Sequence, residues 1–268
     1  RQCAYCVIPR ARGPVRSRSE ESILAELRQL AASGYREVVL SAISLPSYGL
    51  DTGTNLVELV EKCAQVPGIE RIRLGSLDPD MLTPEFISRL AAVDKLCPQF
   101  HLSLQSGCTA TLRRMRRVYT AQEYAQVVEQ IRAAYGSRPV SFTTDCICGF
   151  PGETQADFAE LEEFVRDVRF ERLGVFAYSE EEGTYSAQKL QDNIPEEVKQ
   201  QRVERIMALQ NVISLENNLR RVGRTERVLI DSRQGDYYVG RTQYDSPEVD
   251  QEILIPASEK RLLRGRFY

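Results

Sequence analysis

The chain has 268 residues, with 35 Lys and Arg against 38 Asp and Glu, 42% apolar residues and a formal charge of −3. At about 150 residues per domain this length suits one large domain, or one large and one small. The apolar content excludes a disordered chain, and the charge excludes a uniformly basic nucleic-acid binder while leaving room for a local basic patch.

In chain order, Ser19 is placed to cap a helix in which Ile23, Leu24, Leu27, Leu30 and Ala31 recur at helical spacing, closed by Gly34. Val38-Val39-Leu40 reads as a strand. A helix is predicted from Asn55 through Cys63, then a strand through Ile72 and Leu74. Thr83-Pro84-Glu85 reads as a cap with proline in the first turn, leading a helix to Leu90. Phe100 to Leu104 is the next predicted strand. Thr120 to Glu123 has the spacing of a capping box before a helix through Ile131. A strand from Val140 to Ile147, a helix from Asp157 to Val168 and a strand from Leu173 to Tyr178 follow.

Repeated strand–helix units predict a parallel sheet, either open or curled into a full or partial barrel. Such folds gather their chemistry at the C-terminal ends of the strands. This sequence puts Ser41, Ser76, Gln105, Gly149 and Ser179 there. A long polar helix is predicted from Pro195 to about Leu219. Short strands at Val228–Ile230, Tyr237–Val239 and Ile253–Ile255 then form an all-β module of roughly 45 residues, too small to stand alone easily. No apolar run approaches the ~20 residues of a membrane span and no signal peptide is seen, so the reading is of a cytoplasmic protein with no membrane partner.

Seven cysteines, an odd count, do not suit a disulfide framework. Cys63, Cys97, Cys108, Cys146 and Cys148 lie in apolar or turn segments and read as buried thiols. Cys3 and Cys6 stand apart as a C-x-x-C pair, which serves a redox dithiol, half a zinc site or part of an iron–sulfur cluster. Zinc would want a second such pair or two histidines, and His101 is the only histidine. A thioredoxin-type dithiol should open a helix, whereas Cys6 leads into Val7-Ile8-Pro9 and the basic segment from Arg10 to Arg18.

The stretch from Cys3 to Arg18 resembles the end of the cluster motif of the radical S-adenosylmethionine (radical SAM) methylthiotransferases. Ser47-Tyr48-Gly49, Leu104-Gln105-Ser106-Gly107, Met115-Arg116-Arg117-Val118-Tyr119 and Gly149-Phe150-Pro151-Gly152-Glu153-Thr154 are similar to further motifs of that family. Gly235 to Val249 is similar to its small TRAM module. The resemblance runs over essentially the whole chain. It implies an α/β fold: a radical SAM partial (β/α) barrel over residues 1–222 and a partial, all-β TRAM-like barrel over residues 223–268. It implies a 4Fe-4S cluster with Cys3 and Cys6 as ligands, the third cysteine being expected four residues before Cys3, upstream of this chain. It also implies bound S-adenosylmethionine (AdoMet), a second cluster in a preceding N-terminal domain and an electron donor such as flavodoxin. On this reading the chain is a core fragment with two of three ligands, and it is not expected to be active by itself.

The same resemblance implies the cofactor contacts. Tyr5, Gly149 and Phe150 would border the adenine, Asp145 the ribose and Arg117 the AdoMet carboxylate. Ser41 would lie near the methionine end, with Ser76 and Gln105 as inward hydrogen-bonding groups. Each has a plainer alternative: Tyr5 as a surface aromatic, Gly149 as a bare turn, Arg117 as one of four arginines on a solvated helix face. His101 reads as a sheet-end histidine and Glu180-Glu181-Glu182 as a solvated turn. No catalytic residue stands out.

Family members differ in target. Residues 1 to about 157, notably Arg71 to Leu77 and His101 to Cys108, resemble enzymes that methylthiolate threonylcarbamoyl-adenosine in tRNA. From about residue 158 onward, Gly174 to Thr184 and Asp236 to Thr242 resemble enzymes acting on an aspartate of a small-subunit ribosomal protein. The tail is the closer stretch and favours the ribosomal protein; tRNA is the alternative, and a non-catalytic RNA- or ribosome-binding fragment is a third. Arg10, Arg12, Arg16 and Arg18, with Arg220, Arg221, Arg224 and Arg227, suit phosphate contacts. Tyr237, Tyr238 and Tyr244 suit either base stacking or core packing.

Overall fold

A computed structural model describes residues 3–268. A short helix, α1 (Ile8–Arg12), with Pro9 in its first turn, runs into the basic segment. Helix α2 (Glu20–Ala32) begins where the Ser19 hydroxyl accepts the Ser22 N–H. Strand β1 (Glu37–Leu40), helix α3 (Leu56–Ala64, capped by Asn55) and strand β2 (Arg71–Leu74) follow. Helix α4 (Pro84–Ala91) is capped by Thr83 and leads to β3 (Gln99–His101) and α5 (Thr109–Arg114). Helices α6 (Ala121–Tyr135) and α7 (Gln155–Val168) both open with capping boxes and flank β4 (Ser141–Cys148). After β5 (Arg172–Ala177) come α8 (Tyr185–Lys189) and the long α9 (Glu196–Leu219).

The strand predicted over Phe100–Leu104 is regular only to His101. Beyond it the backbone bonds alternately to both sides: Leu102 N–H to Thr143, Ser103 N–H to Leu77 and Gln105 N–H to Asp145. Strands β1 and β2 pair in parallel, as do β3, β4 and β5. Parallel bridges Ile72–Leu96 and Leu77–Leu102 join the two sheets. Five parallel strands therefore follow one another in sequence order, the expected partial barrel. Leu56, Val60, Ile72, Leu102, Phe142 and Phe158 are fully buried between strands and helices, each worth about 1.5–3 kcal/mol of burial.

The C-terminal module is antiparallel: β6 (Leu229–Gln234), β7 (Tyr237–Arg241) and β8 (Ile253–Pro256). Residues 266–268 pair back on the start of β6, with Val228 and Tyr268 exchanging both backbone hydrogen bonds. Its own buried core is small, centred on Val228, Ile230, Tyr238 and Leu262. The remainder of its anchorage is ionic and lies at the N-terminal ends of the core strands. Arg241 and Arg73 both pair with Glu37, the first residue of β1, and Arg73 also donates to the Thr242 carbonyl. Arg172, the first residue of β5, pairs with Asp245 at 2.5 Å. The C-terminal ends of the strands are thereby left uncovered by this module. Among the described residues no helix is long and apolar enough to cross a membrane.

Candidate active site

Cys3 and Cys6 lie on one turn, closed by the Cys6 N–H donating to the Cys3 carbonyl at 3.2 Å. Ala4 between them is fully buried and held from two directions. Its N–H donates to the Met115 carbonyl, and its carbonyl accepts from the N–H and hydroxyl of Ser186. The thiols of Cys3 and Cys6 are half-buried, whereas the other five are buried elsewhere.

The Tyr5 ring meets Phe150 edge-on at 6.3 Å, and Phe150 meets Tyr178 at 5.2 Å. Burial, reinforced by neighbouring Cys3, pushes the Tyr5 hydroxyl well above the usual phenol range. Tyr5 therefore stands as a neutral, packed aromatic.

Arg117 faces the same turn. Its Nη1 donates to Cys3 Sγ at 3.1 Å, its Nη2 to Asp78 at 3.3 Å and its Nε to the Tyr119 hydroxyl at 2.9 Å. A side chain this buried is not part of a solvated face; that description suits Arg113, which is exposed.

At the C-terminal ends of β4 and β5 lies an open cleft of about 240 Å³. Tyr5, Gln105 and Asp145 line it together with Phe176, Tyr178 and Ser179. Gln105 adopts φ +73, a left-handed conformation rare for a side chain of this kind. Two hydrogen bonds to β4 hold it there, its N–H donating to the Asp145 carbonyl and its carbonyl accepting the Ile147 N–H, each 2.9 Å. Such a conformation costs about 1–3 kcal/mol and is found where surrounding structure imposes it. The Asp145 carboxylate lies 3.5 Å from His101 Nε2, while His101 Nδ1 is 3.1 Å from the Thr143 hydroxyl. His101 is thus a sheet-end residue behind Asp145.

Gly149 and Phe150 are buried and do not line the cleft, but Phe150 packs against two rings that do, Tyr5 and Tyr178. Gly149 has φ +77, and its N–H donates to Glu153 Oε1 at 2.9 Å. Arg202 of α9 pairs with the same oxygen at 2.6 Å. Ser41 and Ser76 are exposed at the ends of β1 and β2 and do not line the cleft. Arg117 does not line it either, being turned to Cys3 and Asp78.

Several residues of this region escaped the sequence reading. Asp78 and Ser186 carry no motif of their own. Glu153 does lie in a motif noted above, but its partner Arg202 is one cation among many on a helix that reads as polar all round. Glu181, expected in a solvated turn, lines the cleft.

Two thiols on one turn beside a cleft are soft donors of the kind that hold iron–sulfur clusters. Their chemistry fits such a group, as two members of a larger donor set. Among the described residues no further Cys, His, Asp or Glu joins them in a metal-binding group.

Comparison with known families bears on this arrangement. Residues 1–165 match the radical SAM superfamily. The chain belongs to the radical SAM superfamily. Residues 222–268 of this radical SAM protein match the TRAM domain. Its fold is similar to coproporphyrinogen III oxidase (HemN) from Escherichia coli, with a TM-score of 0.57 and 14% identity over 91% of this chain and 64% of that one. In sequence, this radical SAM protein is 42% identical to the ribosomal protein uS12 methylthiotransferase RimO of Phocaeicola vulgatus over 270 residues. The corresponding protein of Porphyromonas gingivalis is 43% identical over 271 residues. Both alignments take in the whole of this chain and 62% of the relative, so the chain spans somewhat under two thirds of the length of these proteins.

Proposed function

We propose that this radical SAM protein is the core of a methylthiotransferase that inserts a methylthio group at an unactivated C–H bond on an aspartate of a small-subunit ribosomal protein. The observation that carries this reading is the 42% identity to the uS12 enzymes in an alignment that takes in the whole of this chain. These relatives act on a ribosomal protein and are matched over the whole chain, which favours that target over tRNA.

On this reading residues 1–222 form the catalytic core and residues 223–268 the module that contacts RNA or the ribosome. Cys3 and Cys6 would hold iron as thiolates, with a third cysteine from upstream of this chain. The cluster, when bound, supplies the single electron that cleaves AdoMet. Asp145 and Gln105 offer the polar groups for a nucleoside in the cleft, and the edge of Tyr5 walls it. Phe150, set by the turn at Gly149, backs the Tyr5 and Tyr178 rings. Arg117 orients the Cys3 sulfur. Ser41 would lie near the methionine end of AdoMet, with Ser76 as a hydrogen-bonding group at the neighbouring strand end. The protein would work in the cytoplasm with a flavodoxin-like donor, and a second cluster would be carried by the N-terminal part of the longer protein.

The test is anaerobic reconstitution of the longer protein, with iron and sulfide analysis, followed by mass spectrometry of a uS12-type peptide and a tRNA anticodon stem-loop. Iron lost in Cys3→Ser and Cys6→Ser, with modification of the peptide, is the expected result. Modified tRNA with untouched peptide would move the assignment to the tRNA branch. RNA binding by a protein that takes up no iron would leave only the binding role.

A further inference from the structure

A second cleft, of about 170 Å³, lies at the opposite ends of the strands, in the seam between the barrel, the C-terminus of α9 and the β module. Ser141 opens β4 and lines the cleft; it is 98% buried (2% exposed), yet its hydroxyl has no hydrogen-bond partner. Asn217 lines it from α9, and its buried Nδ2 is likewise without a partner. Buried polar groups in native proteins are nearly always satisfied, so two orphans on one cavity wall point to a missing hydrogen-bonding guest. Tyr244 adds an aromatic ring, covered on one side by the Arg221 guanidinium at 5.4 Å.

Two carboxylates line this cleft, Glu171, whose Oε2 accepts the Phe142 N–H, and Glu226, which faces Arg221 at 3.8 Å; the cations beside them divide into two parts. Arg172 and Arg221 are engaged with Asp245, which is itself buried. Arg220 and Arg224 are exposed on the lining and have no carboxylate partner among the described residues. The α9 C-terminus contributes negative potential, so an anion here must be held by side chains and not by the helix end. Two free guanidiniums at the mouth suit a phosphate, which they can bind in bidentate fashion. The cavity is smaller than the ~300–1,000 Å³ of sites for drug-sized ligands, which restricts the buried part to a single base.

We propose that this seam binds one nucleoside monophosphate unit, with its phosphate on Arg220 and Arg224 and its base against Tyr244 and the amide and hydroxyl groups of Asn217 and Ser141. The same chemistry could be presented by a free nucleotide or by one residue of an RNA strand. The site does not depend on the methylthiotransferase reading, and it is read out by binding to the protein without cofactors.

Isothermal titration of the full chain with AMP, adenosine, inorganic phosphate and a short single-stranded oligoribonucleotide tests it. AMP should bind more tightly than adenosine or phosphate, and affinity should fall as salt rises. The exposed pair Arg220→Ser/Arg224→Ser should weaken AMP about tenfold or more without changing the thermal midpoint. Ser141→Ala should weaken adenosine and AMP alike. Saturation by AMP alone identifies a free nucleotide as sufficient, while binding of the oligonucleotide only identifies RNA; both support the site. Absence of binding to any probe, affinity unchanged in the double arginine variant, or displacement of AMP by AdoMet would overturn it.

Discussion

Arg202 of α9 and Glu153 of the turn after β4 form a buried ion pair with a 2.6 Å contact, and the same Glu153 oxygen accepts the Gly149 N–H. The long C-terminal helix therefore fixes the turn after β4, whose Phe150 packs against Tyr5 and Tyr178 of the cleft wall. Burial pushes the Glu153 carboxyl above its usual range, more than its partners lower it, and its second oxygen is buried without a partner. Removing the cation alone would strand that carboxylate. Arg202→Met is expected to cost about 3–5 kcal/mol in urea denaturation. Arg202→Met with Glu153→Gln should recover part of that loss, because no buried charge remains. A double variant as unstable as the sum of its single changes would show that the pair is not coupled.

Gly149 and Lys199 illustrate the same anchorage sterically. A β-carbon on Gly149 would overlap Lys199 Cγ and Cδ, and the backbone at φ +77 resists an L side chain regardless of space. Gly149→Ala should therefore destabilise by about 2 kcal/mol or more. Trimming the lysine in Gly149→Ala/Lys199→Ala removes the two closest contacts, leaving the 199 β-carbon at 3.1 Å and the backbone strain. The thermal denaturation of the double variant should show less loss than the two single changes added together.

Local signals served the sequence reading well where structure is decided locally. Ser19, Asn55, Thr83 and Thr120 cap the helices that their side chains predict, and the apolar spacing along α2 and α6 marks their buried faces. The site is legible only in part, because its chemistry comes from contacts between distant segments. Nothing near Arg117 in sequence announces Cys3, which lies 114 residues away, nor does Lys199 announce Gly149. A run of four arginines looks solvated until the fold turns one of them inward. The helix α1 was missed because arginines on an exposed single turn carry no periodic apolar pattern. The docking of the β module is equally hidden: Arg71 and Arg73 flank Ile72 in the predicted strand, and they are buried by donating to module carbonyls 156–170 residues away.

Arg117 joins the Cys3 sulfur, Asp78 and the Tyr119 hydroxyl through three donors of one guanidinium. Arg117→Met should cost about 3–5 kcal/mol of stability, since it withdraws a buried cation from a carboxylate. Arg117→Lys keeps the charge but cannot reach all three acceptors with planar geometry, so an intermediate loss is expected. On the proposed reading Cys3 ligates the cluster of the longer protein, and hydrogen bonds to a ligating sulfur tune a cluster. Arg117→Lys should therefore also shift the reduction potential, measured by spectroelectrochemistry. An unaltered potential in a folded Arg117→Lys protein would confine the residue to a structural role.

Glu37 makes the attachment of the β module sensitive to acid. Burial alone would raise its carboxyl, but Arg73 and Arg241 prevail and hold it below the ordinary value. A carboxylate with a depressed folded-state pKa stabilises the fold at pH values above the unfolded-state pKa, about 4.3. That contribution is lost as pH falls through the folded-state value, so the window lies below about pH 4. Asp231 and Asp245 pair with the same seam, which makes the difference between two proteins the useful quantity. Thermal midpoints of the wild type and Glu37→Gln should lie furthest apart near neutrality and converge as the pH drops through that window. Protease cleavage between α9 and β6 should quicken over the same range in the wild type. Midpoints that fall in parallel at every pH would mean that Glu37 does not carry the acid response of the docked module.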